Sequence, residues 1–319
     1  MKREGAMAQP TLAGRDLVSI DDLTADELRA VLARSADLKA HLRAGELPPA
    51  ARGKTLAMIF EKPSLRTRVT FEVGMRQLGG HAIYLAPQDI QLGARESVPD
   101  VARNLSRWVN GIMARTYAHR TVQELAEHAS VPVVNGLSDW EHPCQTLGDL
   151  LTIQEHFGRL DGIKLTWVGD GNNVLHSLLL GGAKVGMSFS VATPPGYEPA
   201  KEIVARAREI ASGAKGALAM TLTHDPREAV RGADVIYTDV WVSMGQEAER
   251  ARRLAAFAGF QVDSALVRAA GPRVKVMHCL PAHRGEEIAG DVLDGPNAIV
   301  LDQAENRLHA QKGLLAMIL

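Results

Sequence analysis

PSLRTRVTFE, residues 63–72, is the stretch around which the rest of the chain is read. Before it, TLAMIF (55–60) carries no charge and reads as a strand buried on both faces. After it, Val69, Val73, Met75 and Leu78 recur at helical spacing, so a helix follows. Ser64, just past Pro63, is a good N-cap residue. A strand, a short turn and a helix therefore succeed one another, and the helix opens with Leu65, Arg66, Thr67 and Arg68. The first N–H groups of a helix lack intrahelical partners, and its dipole favours negative charge there. With the planar donor fork of Arg66, this turn suits a phosphate or a carboxylate. The same residues also fit a surface helix start with two solvated arginines, so the reading depends on what the other strand ends supply.

Working outward, helices are expected at 21–41, 99–109 and 121–129, and strands at 81–85, 111–117 and 131–136. The loop between 86 and 99 is too long for a simple turn, and 88–97 is a candidate lid or interface segment. A helix over 138–158 connects to a second β-α series. That series has strands at 163–168, 188–193, 217–222, 234–241, 274–279 and 297–301 and helices at 199–211, 226–231 and 246–259. An amphipathic helix over 304–319 ends the chain. Alternation of this kind implies parallel sheets covered by helices on both faces. The expected fold is α/β, with two doubly wound parallel-sheet domains joined by helices, 1–148 and 149–302, and residues 303–319 returning to the first.

At 319 residues, two domains are expected. A net charge of −1 gives no electrostatic footprint for nucleic acid or an anionic membrane. Two cysteines, Cys144 and Cys279, make no disulfide framework and no CxxC metal spacing, which fits a reducing compartment. No apolar run approaches the roughly 18 residues of a membrane span, and MKREGAMAQP has no apolar segment of the kind a secretory leader needs.

In a parallel α/β sheet, ligands bind beyond the carboxyl ends of the strands. Standing there are Ser64, Arg66, Thr67 and Arg68, then Arg115, His142 and Gln145, then Asp170, Asn172 and Asn173, then Asp239 and Ser243, and finally His278 and Cys279. His142 and Gln145 share a face if helical, as would Asp239 and Ser243. Each also has an ordinary alternative: a cap for His142 or Asp239, a small buried hydrophobe for Cys279. GDGNNV (169–174) only partly matches a dinucleotide turn, and the next strand ends at Ala192 and Thr193 rather than at a ribose-binding carboxylate.

Taken together, SLRTR (64–68), HPCQ (142–145) and HCLPA (278–282) resemble the aspartate/ornithine carbamoyltransferase family. DVWVSMG (239–245) looks like the loop of its ornithine-using branch, and GDGNNVLHS resembles its second-domain turn. The likeness runs from about Leu17 to the end. One departure is Leu65, where the family usually has threonine; that position mainly offers its backbone N–H, so leucine should be tolerated. Acetylornithine-type relatives can carry leucine there.

The resemblance implies transfer of the carbamoyl group of carbamoyl phosphate to the side-chain amine of L-ornithine, giving L-citrulline and phosphate. Phosphate would be held by Ser64, Arg66, Thr67 and the N–H of Leu65, with Arg115 and Arg307 adding charge. Thr67, Arg115 and His142 would polarise the carbonyl oxygen. Gln145 and the backbone carbonyls of Cys279 and Leu280 would accept from the carbamoyl NH2. Asn173, Asp239, Ser243 and Met244 would hold ornithine, with Asp239 and Cys279 orienting the attacking amine. Gln91 would serve a neighbouring subunit's site, implying a homotrimer or a multiple of trimers. No metal, cofactor, nucleic acid or membrane is implied, and the location expected is cytoplasmic. Two alternatives stand beside this: a sister transferase using N-acetylornithine, putrescine or aspartate, and a non-catalytic anion-binding paralogue.

Overall fold

TLAMIF forms strand β1, Thr55–Phe60, in which Leu56 to Phe60 are each at most 1% exposed. Burying five apolar side chains along one strand, at roughly 1.5–3 kcal/mol for a fully buried large one, fixes β1 at the centre of its sheet. In this computed structural model, residues 12–213, 219–243 and 245–319 are described. They fall into two units, Met1–Gly136 with His309–Leu319, and Leu137–Leu308.

In the first unit β1 pairs in parallel with β2, His81–Leu85, on one side and β3, Gly111–Arg115, on the other, and β4, Val133–Leu137, lies outside β3. The order β2-β1-β3-β4 reverses direction between β1 and β3. A crevice opens beyond the carboxyl ends of strands at such a reversal. The register sets Phe60 opposite Arg115, so the arginine ending β3 stands level with the last residue before the turn into the helix Leu65–Gln77. Ala57, Ile59, Ile112 and Ala114 pack with Val101, Val122 and Leu125 as one core layer. The last turns of the terminal helix, Val300–Ile318, belong to this unit. Gly14 N donates to Ile318 O at 3.0 Å, and Leu314 and Leu315 are buried.

The second unit has five parallel strands in the order β7-β6-β5-β8-β9. These are β5 Lys164–Val168, β6 Ser188–Ala192, β7 Met220–Thr223, β8 Val235–Thr238 and β9 Lys275–His278. Here the order reverses between β5 and β8, so the turn after Val168 and the residues after Thr238 stand side by side.

The structure adds helices that the sequence reading did not place, Asn173–Lys184, Ser264–Ala270 and Gly290–Leu293, and departs from it elsewhere as follows. Residues 297–301 are not a strand: only a bridge between Val276 and Ala298 forms, and the terminal helix begins at Val300. Ile299 N donates to Val276 O, while Ile299 O already accepts from Gln303 N, so the chain turns helical after two paired residues. Residues 239–243 are not helical, so Asp239 and Ser243 do not share a helix face; Ser243 N donates instead to Gln246 Oε1 at 3.0 Å. The charged segment 246–259 is a single 3-10 turn, Glu247–Glu249, running into a short helix, Arg250–Ala256. The strand expected at 217–222 lies partly outside the described residues. Among those described, no helix is long and apolar enough to cross a membrane.

Candidate active site

Each unit carries a group of polar side chains at its sheet reversal. In the first, Ser64 caps the helix Leu65–Gln77, its hydroxyl accepting from Thr67 N at 3.3 Å. Leu65 is 74% exposed, so its side chain takes no part in the turn's polar contacts, and a leucine there leaves the turn intact. The two arginines separate in role. Arg68 donates through Nε to Glu72 at 3.1 Å, and its guanidinium sits 3.7 Å from the Tyr84 ring centroid, which holds it on the helix surface. Arg66 is half-buried beside the buried Thr67. Arg115 is 6% exposed at the end of β3. Lys62, also buried, lies in the same turn with its ammonium 4.8 Å from the Tyr117 ring; sequence reading did not single it out, although it directly precedes Pro63. One acidic group stands in this turn as well, Glu61, whose Oε2 accepts from Tyr117 N at 2.6 Å.

The long loop contains a short helix, Pro87–Ile90, stopped by Gln91 in the left-handed region at φ 49° and ψ 54°. Gln91 O accepts from both Ala94 N and Arg95 N at 2.9 Å, which fixes the bend and leaves the side chain exposed. It borders a cavity of about 210 Å³ lined also by Phe60, Glu61, Ile90, Leu92 and Tyr117.

In the second unit GDGNN is the turn from β5 into the helix Asn173–Lys184. Gly171 is required by close approach: a Cβ there would stand 2.3 Å from Pro199 N. Asn172 caps the helix through Oδ1 and donates from Nδ2 to Asp239 Oδ2 at 2.7 Å. Asp239, 5% exposed, accepts on Oδ1 from Val240 N at 2.8 Å and from the Cys279 thiol at 2.9 Å. The ends of β5, β8 and β9 thus converge on one carboxylate. Asp170 pairs with Arg253 at 3.0 Å, and burial pushes its carboxyl up to about 6 against the pull of that arginine. Asn173 Nδ2 donates to Ser138 O at 2.6 Å. Ser243 is half-buried, and Met244 lies outside the described residues.

His142 is the N-cap residue of the helix Pro143–Phe157, with no side-chain capping bond; its N–H donates to Ser177 Oγ at 2.9 Å, and Ser177 donates to Glu141. Gln145, one turn in, presents Oε1 to Arg307 Nη1 at 2.5 Å and donates from Nε2 to Asp149 at 2.8 Å. The two cysteines differ: burial pushes the Cys144 thiol up to about 12, whereas Cys279 is partly exposed against Asp239. His278 accepts from Leu280 N on Nδ1 at 2.9 Å, so Nε2 carries the proton and donates to Glu287 at 3.1 Å. Both ring nitrogens of His278 are therefore engaged at the strand end. Leu280 has φ 58°, turning the backbone sharply beyond β9.

Residues 15–155 match the carbamoyl-P binding domain and residues 161–318 the Asp/Orn binding domain of the aspartate/ornithine carbamoyltransferase family. An ornithine carbamoyltransferase of Carboxydothermus hydrogenoformans is 55% identical over 96% of this chain and 98% of its own length. The relative from Pyrococcus furiosus named "Ornithine carbamoyltransferase, anabolic" is 54% identical over 97% of this chain and 98% of its own. Among solved structures, the Pyrococcus furiosus ornithine carbamoyltransferase superposes with a TM-score of 0.94 at 54% identity, covering 97% of this chain and 98% of that one. That of Gloeobacter violaceus superposes at 0.86 with 48% identity, over 97% and 99%. With both domain matches in order and relatives this similar end to end, the chain belongs to the aspartate/ornithine carbamoyltransferase family.

Proposed function

We propose that this chain is an ornithine carbamoyltransferase, moving the carbamoyl group of carbamoyl phosphate onto the side-chain amine of L-ornithine to yield L-citrulline and phosphate. The observation that carries the reading is the Asp239 carboxylate. It is buried, tied to Asn172 and Cys279, and set at a sheet reversal, in a chain 55% identical to relatives of that name. A cationic diamine is what a buried carboxylate at a ligand crevice attracts.

In this reading the first unit takes the phosphate through Ser64, Arg66, Thr67, the Leu65 N–H and Arg115. Arg307 adds charge, and His142, with Thr67 and Arg115, polarises the carbonyl oxygen. Gln145 and the carbonyls of Cys279 and Leu280 accept from the carbamoyl NH2. Asn173, Asp239, Ser243 and Met244 hold ornithine. The amine nitrogen attacks the carbamoyl carbon, the bond from that carbon to the phosphate oxygen breaks, and one amine proton is lost. A lysine-like amine has a pKa near 10.4, so freeing its lone pair at neutral pH costs roughly 3–5 kcal/mol. Asp239 and Cys279 orient the nitrogen as that proton leaves, and the arginines stabilise the departing phosphate. The anabolic label of the Pyrococcus furiosus relative and the match to it support a role in making arginine. Two reduced cysteines support a cytoplasmic location.

The test is a colorimetric ureido assay with purified protein, carbamoyl phosphate and a panel of amines. Turnover is expected with ornithine and at most traces with N-acetylornithine, putrescine or aspartate. Faster turnover of N-acetylornithine would hand the chain to the sister activity.

We further infer a homotrimer, or a multiple of it, in which Gln91 completes a neighbour's site. The support is its hydrogen-bonded, exposed bend beside the cavity of about 210 Å³. Inactive Arg66→Ala and inactive Gln91→Ala chains, dissociated and reassembled together, should regain part of the activity, since each mixed trimer then holds a site with neither lesion. An active monomer on sedimentation would end this reading.

A further inference from the structure

Behind Gln145 lies a polar network inside the second unit that neither the reaction nor the family match assigns. Its centre is Asp149, one helical turn beyond Gln145 and completely buried. Asp149 Oδ1 accepts from Gln145 Nε2 at 2.8 Å and from Gln303 Nε2 at 2.7 Å, and Oδ2 accepts from the Tyr237 hydroxyl at 3.0 Å. Gln303 Nε2 also donates to Tyr237 Oη at 2.8 Å, and Gln303 Oε1 accepts from His278 N at 2.9 Å. The carboxylate, with Gln303, therefore ties together the helix carrying Gln145, β8, which ends at Thr238 just before Asp239, β9, which ends at His278 just before Cys279, and the terminal helix carrying Arg307.

An ionised carboxylate only accepts hydrogen bonds. Facing Asp149, the Gln145 amide has one stable orientation, with NH2 inward and oxygen outward. That oxygen already accepts from Arg307 and keeps a second lone pair. We propose that Asp149 is a positioning residue that locks the Gln145 amide oxygen outward as the acceptor for the carbamoyl NH2, making the site prefer carbamoyl phosphate over phosphate. This rests on the assignment of Gln145 to the carbamoyl NH2 made above. Burial pushes the Asp149 carboxyl up to about 6, while its three donors and the Arg307 charge oppose the rise, so the ionised, acceptor-only form prevails at neutral pH. All three donors are side chains, brought from three different elements.

Asp149→Asn is the decisive variant, because its amide can donate and so lets the Gln145 amide turn over. Calorimetry would measure binding of carbamoyl phosphate and, separately, of inorganic phosphate. The expected result is a loss of about tenfold in carbamoyl phosphate affinity, equal to the loss in Gln145→Ala, with phosphate affinity unchanged. In the double variant, Asp149→Asn should add no further loss to Gln145→Ala. Should Asp149→Asn fail to fold, Tyr237→Phe, which deletes one donor to Asp149, is expected to give a smaller loss in the same direction, again confined to carbamoyl phosphate. If Gln145→Ala costs affinity while the Asp149 and Tyr237 variants bind carbamoyl phosphate as the parent does, the positioning role is wrong. So it is if phosphate and carbamoyl phosphate weaken together, or if the losses add in the double variant. If Gln145→Ala itself binds carbamoyl phosphate normally, the assignment of Gln145 fails first and takes this role with it.

Discussion

Replacing Asp239 by Asn is expected to lower kcat/KM for ornithine by at least about a hundredfold, roughly 2.7 kcal/mol of transition-state stabilisation, while carbamoyl phosphate binding stays nearly unchanged. Ornithine brings two amines and one carboxylate, and the pocket must tell them apart. Asp239 is set among three donors, Asn172 Nδ2, Val240 N and the Cys279 thiol. Asparagine keeps the shape but turns one acceptor into a donor and removes the charge that pairs with the substrate amine. One of those local bonds is lost with it, worth about 0.5–1.5 kcal/mol, so a modest fall in Tm accompanies the substitution under any account. The kinetics separate the readings. A variant that melts lower but turns over ornithine at the parental rate would make Asp239 a residue that merely steadies the 239–243 bend.

Truncating Arg66 to alanine is the second large effect. Its guanidinium can give two charge-assisted bonds to phosphate, each worth roughly 1.5–3 kcal/mol, so Arg66→Ala should weaken carbamoyl phosphate binding by about a hundredfold or more. Arg66→Lys keeps the charge and loses the fork, and about a tenfold loss is expected. Inorganic phosphate should weaken alongside carbamoyl phosphate, in contrast to the substitutions around Asp149. Arg68→Ala serves as the neighbouring control, since Glu72 and Tyr84 hold that side chain on the helix surface. Unchanged affinity in Arg66→Ala would place the phosphate elsewhere.

The parts of the fold legible in the sequence are those where one local rule dominates. An uncharged six-residue run, then a proline, a serine and helical spacing, reads as strand, turn and capped helix, and β1 with the helix Leu65–Gln77 follows that reading. The strand ends were legible for the same reason, because parallel topology sends every one of them to the same edge. Residues 297–301 misled because an apolar, β-branched run reads alike as a buried strand and as the start of a buried helix; the helix formed because Gln303 captures the Ile299 carbonyl. The helical spacing assigned to Asp239 and Ser243 failed because the Asp239 side chain takes the next backbone N–H for itself, a local bond that competes with helix formation. Asp149, Tyr237 and Gln303 were invisible as a group. They lie 88 and 154 positions from Asp149, each looks like an ordinary member of its own element, and only the folded sheet reversal brings them to one point. The cap of the helix Asn173–Lys184 carries a local sequence signal: Asn172 stands directly before the first helical residue, where an asparagine is a strong N-cap.

The central claim is that this chain joins the side-chain amine of ornithine to the carbamoyl carbon of carbamoyl phosphate. The most direct measurement mixes purified protein with carbamoyl phosphate labelled at the carbamoyl carbon and ornithine labelled at the side-chain nitrogen, and follows the product by NMR. One product is predicted, with the labelled carbon bonded to the labelled nitrogen and one phosphate released for each molecule formed. A product whose labelled carbon shows no coupling to that nitrogen, or no product from ornithine where N-acetylornithine gives one, would contradict it.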